Sequence, residues 1–501
     1  MAIGYAHVRE VLKLAALPPQ LPARVRPVTR VERLSDHLAV PSHVAPRSNR
    51  PLEHLLFALK HEGTALGILM EAMRKIPASE VQDELRRTPT GVYARALGFL
   101  WEAANGPGLD ASGTAGHAHP LFDPERYVTG PAIRNPRWRV DFNGLGSIRY
   151  CATVERTPAL KALLEAGVLQ RTQDHVASLG SELRDRILAW AYMDETQNSY
   201  AIERETPSEE RAKAFVALLH QAHEKRPLSE HYLSELQQAA ISNPFHRAVA
   251  FRHEQNWLQG PGRGAPAVSY VPPPPAIVGA LMIELMDFAN AQTGAIEPLV
   301  AAAVVKFGFV FLHPFMDGNG RVSRFLYHQT LCRTGALPNG LLLPVSIAMK
   351  KHEAEYMQAL RSYSRPLREL WRVGYIDEGN YTFDYRGDGD FGVYRYWDAT
   401  ACVEFGCRMA EQALAHELQQ ETDFLIRFDR ISRAVGEAFD IRGSTLATLV
   451  TGALKEGRVS QRRRDQFAHE VPASAFERIE EALRDGQDGT STAAIATSRG
   501  L

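Results

Sequence analysis

The fifteen residues from Pro298 to Leu312 (PLVAAAVVKFGFVFL) constrain the fold more than any other stretch, because Lys306 is their one charged or polar side chain. An Ala/Leu-rich run of that length, apolar on every side, reads as a buried helix despite its β-branched residues, and buried helices need neighbours to cover them. Pro314 stops the run. With 501 residues and 45% hydrophobic content, the chain exceeds one domain's usual size and can supply that cover. The expected fold class is mainly α.

The segment that follows, His313-Pro-Phe-Met-Asp-Gly-Asn-Gly-Arg-Val-Ser-Arg324, puts a base, a carboxylate, a glycine turn and two arginines within twelve residues. The glycines flanking Asn319 permit positive φ, so successive backbone N–H groups can converge on an anion. A helix from about Arg321 to Cys332 would aim its N-terminus at the same point. Arg321 and Arg324 stand three apart, on one face of the first turn, where guanidinium forks suit phosphate oxygens. Asp317 is a hard oxygen ligand able to share Mg²⁺ with phosphates, and an unperturbed His313 accepts a proton near neutral pH. A base beside an activated phosphate points to phosphoryl-type transfer on a nucleotide.

These residues resemble the signature of the Fic family, His-x-Phe-x-(Asp/Glu)-Gly-Asn-Gly-Arg-x-x-Arg, at every constrained position: His313, Phe315, Asp317, Gly318, Asn319, Gly320, Arg321 and Arg324. The resemblance implies a Fic-type helical core and transfer of AMP from Mg·ATP to a Tyr, Thr or Ser hydroxyl of a target protein, with pyrophosphate leaving. It makes His313 the base and Asp317 the Mg²⁺ ligand. Gly318, Asn319 and Gly320 become the phosphate nest, Arg321 and Arg324 the clamp on the outer phosphates, and Phe315 the core anchor of the loop. Removal of AMP from a modified protein is one alternative on the same fold, and a catalytically silent binding or regulatory module is another. ATP and a target presenting an extended hydroxyl-bearing segment are the implied partners, with self-modification and oligomerisation open.

Three further segments bear on that resemblance. Ser199 and Glu203 are four apart, hence on one face of a helix expected at about 195–205, and Thr206-Pro-Ser-Glu209 reads as a capping box for the next helix. The pair resembles the family's inhibitory motif (Ser/Thr)-x-x-x-Glu-(Gly/Asn), which implies that Glu203 pairs with Arg324 and blocks the γ-phosphate position. The chain departs from the motif at Arg204, where Gly or Asn is usual. Between the two motifs, a Gly/Pro-rich centre flanked by β-prone runs reads as a hairpin. Trp257, Leu258, Val268 and Tyr270 are its candidate target-docking residues, since a flap edge can register an extended peptide by main-chain pairing. Tyr356 falls where the family often has a tyrosine near the nucleotide base.

Organisation follows from composition and spacing. An irregular Pro- and Arg-rich arm at 1–52 precedes a helical N-terminal domain at 53–190, and the resemblance implies a Fic-like catalytic core at 191–373. A linker with short strands at 374–396, a helical C-terminal domain at 397–485 and a disordered polar tail at 486–501 complete the chain. A net charge of −1 gives no global pull toward nucleic acid or a membrane. Cys151, Cys332, Cys402 and Cys407 show neither metal-ligand spacing nor a disulfide framework, so reduced thiols are expected. No signal-peptide pattern or membrane-length apolar run is present; a cytoplasmic location is expected, with export as an effector left open.

Overall fold

A computed structural model describes residues 2–496 apart from 225, 242, 292, 293, 339 and 388, without side-chain description at 244 or 486–496. The buried helix runs Pro298–Leu312, started by Pro298 in its first turn, and every residue from Leu299 onward is buried. The helices Pro275–Asn290, Asn319–Arg333 and Thr400–Gln412 pack directly on it. Full burial of each of Phe307, Phe309 and Phe311 is worth about 1.5–3 kcal/mol, which is why the fold organises around this helix. Lys306 is the exception inside it. Its ammonium lies over the rings of Phe307 at 3.8 Å and Tyr356 at 4.7 Å with no hydrogen-bond partner among the described residues, and burial lowers its pKa to about 7.

Among the described residues the molecule is mainly α, as expected, with five small sheets. The arm at 1–52 is not irregular: it holds the helix Gly4–Leu12 and a three-stranded sheet of Ala23–Val25, Leu38–Val40 and Glu32–Arg33. Local signals could not reveal that helix, because its first N–H groups are capped from far along the chain. Gly4 N–H donates to His54 Nδ1 at 3.0 Å and Tyr5 N–H to Glu62 Oε1 at 2.9 Å. The helices Pro51–His61, Leu66–Lys75, Ala78–Arg87 and Val92–Asn105 share one core built on Leu55, Leu69, Leu97 and Trp138.

Residues beyond Pro158 behave differently, since Leu160, Val168 and Ile187 join the large core around the buried helix. Within 374–396 lies most of a β-hairpin, Trp371–Asp377 paired antiparallel with Asn380–Tyr385. The C-terminal segment divides as well. The helix Thr400–Gln412 belongs to the large core, while Ile431, Leu449 and Ile479 of the later helices build a separate small one. Residues 486–496, expected in a disordered tail, continue the helix Ala473–Ala496, and 497–501 lie outside the described residues. All four cysteines are free thiols. No helix among the described residues is long and apolar enough to cross a membrane.

Candidate active site

The buried helix delivers His313 at its C-terminal end, where the residue adopts φ 49° and ψ 56°. Its Nδ1 lies 3.0 Å from the Val310 carbonyl, which can only accept, so Nδ1 carries the proton and Nε2 the lone pair in the neutral ring. Burial lowers the His313 pKa to about 4, and the charge of Arg252 adds to the effect. Two residues that sequence reasoning missed hold this corner from the flap side. Arg252 Nε donates to the His313 carbonyl at 2.9 Å, and Asn256 Nδ2 donates to the Phe315 carbonyl at 3.0 Å. Both belong to the polar run from Arg252 to Asn256, and no spacing distinguishes them from the residues between.

The loop closes on itself through Asn319, whose Oδ1 accepts from Phe315 N–H at 3.0 Å while its Nδ2 donates to Phe315 C=O at 2.7 Å. That side chain is therefore committed to loop shape, and any contribution of Asn319 to a phosphate nest comes from its backbone. Phe315 is buried against Phe251 and Phe309. Gly318 sits at φ 83°, and a Cβ there would come within 2.7 Å of Ile241, so both conformation and space demand glycine.

The helix Asn319–Arg333 then presents Arg321 and Arg324, both almost wholly buried. Arg324 donates from Nε to Ser199 Oγ at 2.7 Å, and from one terminal nitrogen to Ser199 C=O at 2.6 Å and Glu203 Oε1 at 2.9 Å. The Glu203 carboxylate lies directly over Gly320: a Cβ on that glycine would sit 2.0 Å from Glu203 Oε1. Arg321 reaches Glu205 Oε2 at 2.8 Å and Asp317 Oδ1 at 3.3 Å, with its guanidinium over the Tyr200 ring. One nitrogen of each arginine, Nε of Arg321 and Nη1 of Arg324, has no partner among the described residues. Buried guanidinium N–H groups without acceptors beside a helix N-terminus form a binding surface for an anion.

Ser199 and Glu203 thus meet Arg324, the partner that the resemblance implied for Glu203, on an element that differs from the expected short helix. The helix is Ser181–Ile202, and Glu203 is its C-cap. The next helix is capped by Ser208, whose side chain accepts from Arg211 N–H, and not by Thr206. Glu195, one face further up, is fully buried with Ser346 Oγ at 2.6 Å and His328 Nε2 at 2.9 Å, which pins the helix behind the site.

Asp317 keeps about a third of its side chain exposed; Oδ1 accepts from Gly318 N–H at 2.6 Å and Oδ2 lies 3.1 Å from His246 Nδ1. No group of three or more His, Cys, Asp or Glu among the described residues is arranged to hold a metal. One accessible carboxylate fits Mg²⁺ that draws its remaining ligands from phosphates and water. The flap is the two-stranded pair Leu258–Gln259 and Val268–Tyr270. Trp257 and Leu258 stay partly exposed, the former against Tyr381 and Phe383 of the second hairpin. Val268 and Tyr270 are buried, with Tyr270 Oη donating to Phe311 C=O at 2.7 Å, so their side chains serve the core. Tyr356 is buried near the arginine pair, its ring engaged by Phe405, Phe307 and Lys306.

Part of the chain is similar to known proteins. Residues 227–331 match the model of the Fic/DOC family. The chain is 33% identical over 112 residues to a protein adenylyltransferase Fic of Drosophila willistoni, covering 22% of this chain and 19% of that one. It is 34% identical over 92 residues to protein adenylyltransferase fic-1 of Caenorhabditis briggsae, covering 18% and 17%. The chain therefore spans about a fifth of the length of the curated relatives it matches. Among solved structures, a Fic domain containing signaling protein from Bacteroides thetaiotaomicron aligns with 50% of this chain and 95% of its own, at 20% identity and a TM-score of 0.36. Glu203 and Tyr356 lie outside the matched range, and the flap and the loop from His313 to Arg324 lie inside it.

Proposed function

We propose that this chain, whose residues 227–331 match the Fic/DOC family model, transfers AMP from Mg·ATP to a hydroxyl side chain of a protein and that Glu203 restrains it. The observation that carries the reading is the anion site: two buried arginines, each with a nitrogen lacking an acceptor among the described residues, open the helix that follows the loop begun by His313. The acceptor hydroxyl loses its proton to His313 Nε2 as its oxygen bonds to the α-phosphorus. The bond from that phosphorus to the bridging β-oxygen breaks, and pyrophosphate leaves. Arg321 and Arg324 hold the outer phosphates, and the backbone N–H groups of Gly320 and Arg321 face the same charge. Asp317 would hold Mg²⁺, which when bound neutralises phosphate charge. Glu203 occupies the seat over Gly320 that an outer phosphate needs, and both carry negative charge.

Labelled ATP supplied to cell lysate with the Glu203→Gly chain tests this reading. Transfer of label to protein that exceeds wild type and needs divalent metal is the expected result. Mg·ATP binding without any transfer would identify a silent binding module instead. If labelling falls in Glu203→Gly and the wild type strips AMP from modified protein, Glu203 positions water and the reaction runs in the removing direction.

A further inference from the structure

We propose that Glu205 is a second inhibitory carboxylate, acting on Arg321 as Glu203 acts on Arg324; the inference rests on the adenylyl-transfer reading above. After Ile202 the backbone closes two hydrogen bonds, Glu205 N–H donating to Tyr200 C=O at 3.0 Å and Arg204 N–H to Ala201 C=O at 3.0 Å. Arg204 between them is left-handed at φ 60°. This is a Schellman termination, whose central position favours Gly and sometimes Asn. The Gly or Asn usual at this point of the family motif is therefore explained by backbone geometry, and Arg204 adopts that geometry all the same.

The consequence of the turn is that both flanking acids face one target. Glu203 closes the helix and Glu205 follows two residues on, and they meet the first turn of the helix Asn319–Arg333 in antiparallel order: first acid to second arginine, second acid to first. The Arg321 to Glu205 distance of 2.8 Å matches the 2.9 Å of Arg324 to Glu203. The two pairs are also alike in exposure, with the arginine side chains at 2% and 1% and the acids at 35% and 36%. Arg321 also donates to Asp317, so Glu205 occupies the guanidinium that neighbours the expected metal ligand. Releasing Glu203 alone leaves Arg321 held. Two carboxylates, each on a different arginine, give inhibition that a single substitution undoes only in part.

The test measures Mg·ATP affinity by calorimetry on the full chain as wild type, Glu205→Gln, Glu203→Gly and the double variant, with label transfer followed in parallel. Glu205 is about one-third exposed, so its amide variant keeps the fold, which thermal unfolding checks. The double variant is expected to bind Mg·ATP about tenfold more tightly than Glu203→Gly, the scale of one charge-assisted hydrogen bond. Equal affinity in the two would overturn the proposal. Weaker binding in the double variant would also overturn it, by making Glu205 a support that orients Arg321 for phosphate. If the affinity series holds and no label moves, the second inhibitory pair stands and the transfer reading falls. If label transfer rises in Glu203→Gly and the affinity series is flat, the transfer reading stands and Glu205 does not.

Discussion

The loop from His313 to Arg324 and the turn from Ser199 to Glu205 face each other across the site, and they are built to opposite standards. In the loop, Phe315, Asn319, Arg321 and Arg324 are each at most 2% exposed, and the shape is set by side-chain bonds to backbone. In the turn, the two acids that reach into the site keep more than a third of their side chains in contact with solvent. The difference decides which partner moves. Withdrawing a buried arginine leaves charge without water, whereas a half-exposed carboxylate exchanges its guanidinium for solvent at little cost. The anion site is the fixed part of the molecule, and the acids are the removable part.

The most severe way to break the fixed side is His313→Ala, which should lower transfer by about 10²–10⁴-fold while Mg·ATP affinity stays close to wild type, both measured in the Glu203→Gly background. Undiminished transfer would remove His313 from the mechanism. Asn319→Ala comes next. It leaves the buried N–H of Phe315 without its partner, at about 1–3 kcal/mol, while the C=O keeps Asn256, and it should lower the unfolding midpoint in denaturant together with transfer.

The pH profile sharpens the same comparison. Because burial puts the folded His313 pKa at about 4, below its ordinary value, the folded ring stays neutral while the unfolded chain takes up a proton. The group therefore takes nothing from stability above its ordinary pKa and destabilises progressively as pH falls from there toward 4. Transfer by Glu203→Gly should accordingly show no His313-dependent acid limb between neutrality and about pH 5. A limb near pH 6.5, the ordinary histidine value, would mean that the loop is wetter in action than at rest. The smallest effect belongs to the removable side. Arg204→Gly should relieve the left-handed strain, raise stability by about 0.5–1 kcal/mol and leave transfer low, as read by thermal unfolding and labelling.

What could be read from the chain divides along similar lines. The buried helix, the glycine turn and the arginine helix were legible because each rests on short-range rules: an apolar run, positive φ, a proline start. The pairing of Glu203 with Arg324 was legible only through resemblance, since the spacing of Ser199 and Glu203 occurs on many solvated helices. Glu205, Arg252 and Asn256 were not legible, because each acts on a group far along the chain with no sequence period to announce it. The helix at Gly4–Leu12 was missed for the same reason, its caps lying near residues 54 and 62. Val268 and Tyr270 show the limit of period-two reading, which places residues on a face without saying which face is the core.

The carboxylate seated over Gly320 belongs to the same chain as its seat, so it acts as a ligand on a tether. A short tether holds its end at an effective concentration on the order of mM, and a pinned helix end exceeds a loose one. The pins are the buried contacts of Glu195 with Ser346 and His328, two turns upstream of Glu203. On the proposed reading, ATP competes with a local concentration set by helix rigidity as much as by contact strength. Loosening the helix at Glu195 would lower that concentration and raise activity at limiting ATP, although every atom that touches the nucleotide site is left in place.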